Sequence, residues 1–274
     1  MIERLKQTTL IIAGHGSSKS PNQARPARKH AAHIAKKGLF ADVKTAFWKE
    51  DTRLKDVLEG VLTPEVVIVP NLACSGHINK VVIPREMGLK GELTQTNTQR
   101  IHLCKPVGEH EGLPALIAKR LKEVMQERDL APKDTTVFLV AHGNPNPDRP
   151  ASHDTTVMMA TRIYQHYPLH AILPAFLEEK PFLKGWSKRT TTKNIIVLPF
   201  MIAAGTHGAR DVPRFIGVEP TEKQSMEMRE NAIPAGPFEV EGHHLWIMRA
   251  MGSHPTIADF IVDIAEERLS EVPY

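Results

Sequence analysis

The chain has 274 residues, 41% of them hydrophobic and 24% charged, with 35 Lys and Arg against 31 Asp and Glu. That is a globular composition, which excludes wholesale disorder; no apolar run approaches the roughly 20 residues of a membrane span. Two cysteines, Cys74 and Cys104, are too few for a disulfide framework. A net charge of +4 and 5% aromatic residues make a poor nucleic-acid binder. The expectation is therefore a cytoplasmic protein with neither nucleic acid nor membrane as partner.

In chain order, the first apolar run, residues 10–13, reads as a buried strand and ends in Gly14-His15-Gly16-Ser17. A basic stretch, residues 25–37, reads as the solvated face of a helix, or as a rim that attracts an anionic ligand. Residues 66–69 form a second strand and lead into Ala73-Cys74-Ser75-Gly76-His77. After a helix over residues 113–128 the order repeats. A strand over 137–141 ends in His142-Gly143, a helix covers 155–166, and residues 171–173 end near Phe176-Leu177-Glu178-Glu179. A strand over 195–198 is followed by Ala204-Gly205-Thr206-His207, and a last amphipathic helix spans 255–269. Residues 219–242 are polar, contain Met and Pro, and read as an irregular insertion or loop.

The repetition is regular. His142 follows His15 by 127 residues, Ile195 follows Val66 by 129 and His207 follows His77 by 130; Gly252-Ser253-His254 follows Gly108-Glu109-His110 by 144. The chain therefore reads as two copies of one unit, divided as residues 1–130 and 131–274. Short branched runs alternating with helices make each copy a doubly wound α/β lobe with a parallel sheet.

In such sheets ligands bind outside the carboxyl ends of the strands. His15, His77, His142 and His207 all stand there, with glycines beside them that allow close approach to the backbone. One strand-end histidine alone is as readily structural; the same pair in both halves points to a site. Neutral imidazole holds divalent transition metals and accepts protons near neutrality. Glu178 or Glu179 could reach the pocket of His142 and His207, and Glu178 is preferred. Zinc-protease, Gly-x-Ser-x-Gly, Walker and dinucleotide motifs are absent, so no organic cofactor is expected.

The Gly14-to-Ser17 segment, Phe176-Leu177-Glu178, Gly252-Ser253-His254-Pro255 and the stretch from Pro199 through His207 to Asp211-Val212-Pro213 together resemble the motifs of the sirohydrochlorin chelatases. These are the class II chelatases of cobalamin and siroheme biosynthesis, here in the long two-lobed form. The resemblance implies two chelatase-like lobes with parallel sheets facing a cleft. It implies insertion of a divalent metal, Co²⁺ first and Ni²⁺ or Fe²⁺ next, into an anionic tetrapyrrole. His142, Glu178, His207 and His15 become the expected catalytic residues, and His142, His207, His15, His77 and Glu178 the expected metal ligands. The metal is a substrate rather than a resident cofactor. The second lobe, which keeps Glu178 and Asp211-Val212-Pro213, is the expected working lobe. A non-catalytic metal or tetrapyrrole carrier of the same fold is the alternative; a zinc hydrolase is weaker.

Overall fold

The computed structural model describes residues 1–18, 23–146, 152–202, 211–230 and 234–273. The chain forms two compact units, Met1–His110 with Gly252–Tyr274, and Glu111–Met251.

In the first unit a short helix α1 (Ile2–Leu5) leads into β1 (Thr8–Gly14), α2 (Arg25–Lys37), β2 (Asp42–Phe47) and β3 (Glu65–Pro70). A wide π-type turn (Ile78–Val82) runs into α3 (Ile83–Met87), followed by the hairpin strands β4 (Leu93–Gln95) and β5 (Arg100–Leu103). The sheet order is β2-β1-β3-β5-β4, all parallel except β4. Every residue of β1 and β3 is buried, as the unbroken apolar runs require of central parallel strands. One face packs Ile11, Ala13, Ala46, Val66, Ile68 and Ile83 into a core. The helix α2 begins with Pro26 in its first turn and ends at Gly38 in the left-handed conformation, a start and stop that the backbone demands. It buries Pro26, Ala27, His30, Ala31 and Ile34, while most of its Lys and Arg face outward.

The second unit begins with α4 (Leu113–Glu127), continues through β6 (Thr135–Ala141), α5 (Ser152–His166), β7 (Ala171–Phe176) and β8 (Asn194–Pro199), and adds α6 (Val212–Phe215), α7 (Glu222–Glu230), β9 (Ala235–Val240) and β10 (His243–Ile247). Its sheet order, β7-β6-β8-β10-β9 with β9 antiparallel, repeats the first strand for strand. Even the hydroxyl pair at the strand start recurs: Thr9 meets Thr63 at 2.8 Å, and Thr136 meets Thr190 at 2.7 Å. Phe138, Val140, Leu183, Trp186, Val197 and Ile247 anchor the core.

The final helix α8 (Ile257–Glu271) packs on α2 and β3, whereas α4 packs on α5. The packing units thus differ from 1–130 and 131–274 by exchanging these two helices. An apolar stripe such as Leu113, Ile117, Leu121 and Val124 specifies which face of a helix is buried, but not which sheet covers it.

The expected irregular insertion over residues 219–242 is corrected: it contains α7 and the edge strand β9. The turn Glu241–Gly242, with φ of 49° and 83°, folds β9 back on β10. Inward positions alternate along β9, Phe238 and Val240 packing on the core, so Gly236 and Pro237 conceal a half-buried edge strand.

At the amino edge of the first sheet, away from the histidines, Glu65 is buried beneath three basic groups. Arg4 reaches it at 2.8 Å, His102 at 2.6 Å and Arg100 at 3.3 Å, and Arg4 also donates to the carbonyls of Leu269 and Val272. This cluster ties α1 and the end of α8 to β3 and β5. Desolvation holds the His102 pKa below the ordinary histidine range, against the Glu65 hydrogen bond that would raise it.

Candidate functional site

In the second unit the parallel register sets the site. Ala141 pairs with Phe176, and beyond that pair the ladder continues, with Leu177 N–H donating to the His142 carbonyl at 3.2 Å and Glu178 N–H at 3.0 Å. Glu178 is thereby carried alongside His142. The His142 ring Nδ1 lies 3.3 Å from the Gly143 carbonyl and 3.5 Å from Glu178 Oε2, with both side chains about half exposed. A carbonyl can only accept, so Nδ1 carries the hydrogen and Nε2 carries the lone pair.

Glu179 goes elsewhere. Gly143 turns with φ of +81°, and a Cβ there would lie 2.8 Å from Glu179 Cγ and 3.1 Å from Phe176 Cβ. Glu179 is tucked beneath that turn at 17% side-chain exposure, against 49% for Glu178. His153 of α5 stacks on Phe176 at 4.9 Å, with Nδ1 4.0 Å from Glu179 Oε1. Of the two adjacent glutamates, Glu178 is the one beside the histidine.

The first unit repeats the backbone with different side chains. Lys49 N–H donates to the His15 carbonyl at 2.9 Å, so Lys49 occupies the position of Glu178. Its ammonium sits 4.4 Å over the Trp48 ring, whose edge meets His15 at 5.4 Å. His15 Nδ1 donates to the Gly16 carbonyl at 2.6 Å, again leaving the lone pair on Nε2. Glu50, at the place of Glu179, accepts from Ser17 N–H at 3.1 Å and from Arg28 at 2.8 Å; the Arg28 guanidinium lies 5.1 Å over Phe47.

His77 closes the loop after β3 and precedes the π-type turn. Because β1 and β3 are hydrogen-bonded neighbours, the loops bearing His15 and His77 leave adjacent strand ends. The His77 loop is held by Glu109, which accepts from Ser75 N–H at 2.5 Å and Ser75 Oγ at 3.0 Å. Beside it opens a cavity of about 500 Å³ with Ser75, Asn79, Lys80, Lys105, Glu109 and Arg268 among its lining residues. Cys74 stays a thiol rather than a ligand-ready thiolate: burial first, and then the Glu109 charge, push its pKa up to about 11.

His207 and Arg210 lie outside the described residues. β8, which leads toward them, pairs with β6 through Val140 and Pro199, and Asp211 begins α6 beyond them. Among the described residues no three or more His, Cys, Asp or Glu side chains stand close enough to hold a metal together. The geometry thus brings together His142 and Glu178, and places His15 and His77 on neighbouring strand ends. The sequence reading missed Glu50, Glu109 and His153. Glu109 had left a trace as a member of the weakest repeat pair, and Glu50 as the counterpart of Glu179 in the parallel between residues 46–50 and 175–179.

The CbiX family model matches the chain twice, over residues 9–124 and 136–271. A probable sirohydrochlorin cobaltochelatase of Halobacterium salinarum is 27% identical over 275 residues, covering 94% of this chain and 90% of that protein. Among solved structures, CbiX, described as the terminal enzyme for biosynthesis of siroheme in denitrifying bacteria, aligns with a TM-score of 0.69 at 20% identity over 96% of this chain and 99% of the other. SirB from Bacillus subtilis with Fe³⁺ aligns with a TM-score of 0.67 at 16% identity over 95% of each chain.

Proposed function

The chain belongs to the CbiX family, and from that premise we propose that it inserts a divalent metal into sirohydrochlorin, with Co²⁺ as the favoured metal. The observation that carries this reading is the His142–Glu178 pair at a strand end, with Nδ1 oriented by a carbonyl and a carboxylate. Metal insertion must remove two pyrrole N–H protons and present the metal to the ring face. His142 Nε2, bearing the lone pair, takes a pyrrole proton, and Glu178 at Nδ1 stabilises the imidazolium that forms. Lysine takes that position in the first unit, so the second is the proton-accepting lobe. His15 with His77 in the first unit, and His142 with His207 in the second, are suited to hold a metal, imidazole being a ligand for Co²⁺, Ni²⁺ and Fe²⁺ alike. His207 stays in this proposal as the partner of His142, on the strength of its motif. Exposed Lys and Arg of α2 steer the polycarboxylate macrocycle.

The test is anaerobic metalation of sirohydrochlorin followed by absorbance, with Co²⁺, Fe²⁺ and Ni²⁺ in parallel. Acceleration over the spontaneous rate, greatest with Co²⁺, is expected. His142→Ala should then lose roughly 10²- to 10⁴-fold, the span of a general base. Tight binding of metal or tetrapyrrole without turnover would favour the carrier reading, and no acceleration with any metal would overturn the enzymatic one.

A further inference from the structure

The two lobes share a strand order, but among the described residues their histidine loops are held by different means. In the first, two carboxylates from other elements each take the backbone N–H of a serine two residues from a histidine. Glu50 holds Ser17 beside His15, and Glu109 holds Ser75 beside His77. Each carboxylate has a second partner, Arg28 for Glu50 and Ser75 Oγ for Glu109. Glu50 is 8% exposed, so its hydrogen bonds operate with little competition from water. Gly108 brings Glu109 into place: its N–H donates to the Leu72 carbonyl at 2.9 Å, and its backbone lies directly against Ala73.

The repeat supplies the comparison. Glu50 corresponds to Glu179, which meets His153 at 4.0 Å and whose Oε1 has no hydrogen bond among the described residues. Glu109 corresponds to Ser253, which carries no carboxylate. Lys49 likewise stands where the second lobe has Glu178. The second lobe orients its histidine by a carboxylate at the ring, and the first lobe by latching the backbone on which its histidines ride.

We infer that Glu50 and Glu109 are positioning residues that fix His15 and His77 as a metal-holding pair before the metal arrives. Neither carboxylate touches the metal; both act by removing backbone freedom that ligation would otherwise have to freeze. The metal role rests on the proposed function, whereas the latches stand on hydrogen bonds that can be probed without any turnover.

The experiment uses the full chain with Glu50→Gln, Glu109→Gln and Glu109→Asp, and with Ile34→Val as a destabilising control remote from the loops. Backbone amide exchange is read at Ser17 and Ser75, and Co²⁺ affinity by visible absorption titration. Glu109→Gln should speed Ser75 exchange at least about tenfold, and Glu50→Gln that of Ser17. Each should weaken Co²⁺ binding roughly 10- to 100-fold, as loss of a ligand-orienting partner does. Glu109→Asp keeps the charge and should recover part of the affinity; Ile34→Val should change neither local exchange nor affinity. Glutamine variants with unchanged serine exchange overturn the latches. Faster exchange with Co²⁺ affinity within twofold of the parent, or a parent chain that binds no Co²⁺, overturns the metal-holding role. Failure of metalation with both readouts as expected counts against the proposed activity and supports the latches.

Discussion

A single added methyl at Gly108 should disturb the His77 loop by direct collision with its backbone. A Cβ at Gly108 would lie 2.1 Å from the Ala73 carbonyl oxygen and 2.5 Å from its carbon, backbone atoms with no rotamer to move. Real contacts essentially never fall below 3.0 Å, so the Val107–Glu109 turn and the Ala73 loop must part by about 1 Å. The strain of such overpacking costs about 1–3 kcal/mol. Parting also stretches the Gly108-to-Leu72 hydrogen bond and the two Ser75–Glu109 bonds, adding about 1–2 kcal/mol where they are lost. A total of about 2–5 kcal/mol corresponds to a fall in Tm of roughly 5–15 °C for a chain of this size. Gly88→Ala is the control: its φ of +65° strains an alanine, but nothing lies within 4 Å of the new methyl, so the cost should stay near 1 kcal/mol. The assay is calorimetric unfolding together with amide exchange at Ser75. Gly108→Ala with a Tm within 2 °C of the parent and unchanged Ser75 exchange would show that the contact carries no load.

Further outcomes follow from the same geometry. Glu65→Gln leaves Arg4 and Arg100 without their buried counter-charge and His102 without its carboxylate acceptor and should cost about 3–5 kcal/mol in urea unfolding; a midpoint matching the parent's would refute a structural role for the cluster. His30 and His102 both have pKa values lowered chiefly by burial, so the unfolded chain takes up protons below about pH 6.5 that the folded chain refuses. Stability from these groups is therefore complete above that pH and falls as acid is added, by up to about 1.4 kcal/mol per group per pH unit; denaturant midpoints at pH 7.5 and 5.5 test it, with His30→Gln expected to flatten the slope. Glu178→Gln should lower kcat for metalation at least tenfold with Tm unchanged, because Glu178 is half exposed, and an equal loss in KM alone would argue against imidazolium stabilisation. Cys74, with its pKa near 11, holds about one thiolate in a thousand at pH 8, so iodoacetamide should label the folded chain far more slowly than the unfolded one.

The duplication, the βαβ alternation and the strand-end position of His15, His77 and His142 were legible because each is a local pattern: an apolar run, a helical period, a residue following a strand. The edge strand β9 was not, since Gly236 and Pro237 mask its alternation until β10 is there to pair with it. The choice between Glu178 and Glu179 also lay beyond local pattern. Adjacent residues on a chain point to opposite sides, and which side meets His142 is decided by the β6–β7 register. The carboxylates that hold the first-lobe loops are 33 and 34 residues from their serines, a separation that leaves no periodic trace. The sequence alone thus determined two like lobes, their sheet class and the strand ends that carry His15, His77 and His142, because those follow from the order of short-range patterns. Only the tertiary structure decided which helix covers which sheet, which glutamate meets the histidine and how each loop is held, because those depend on contacts between segments distant in the chain.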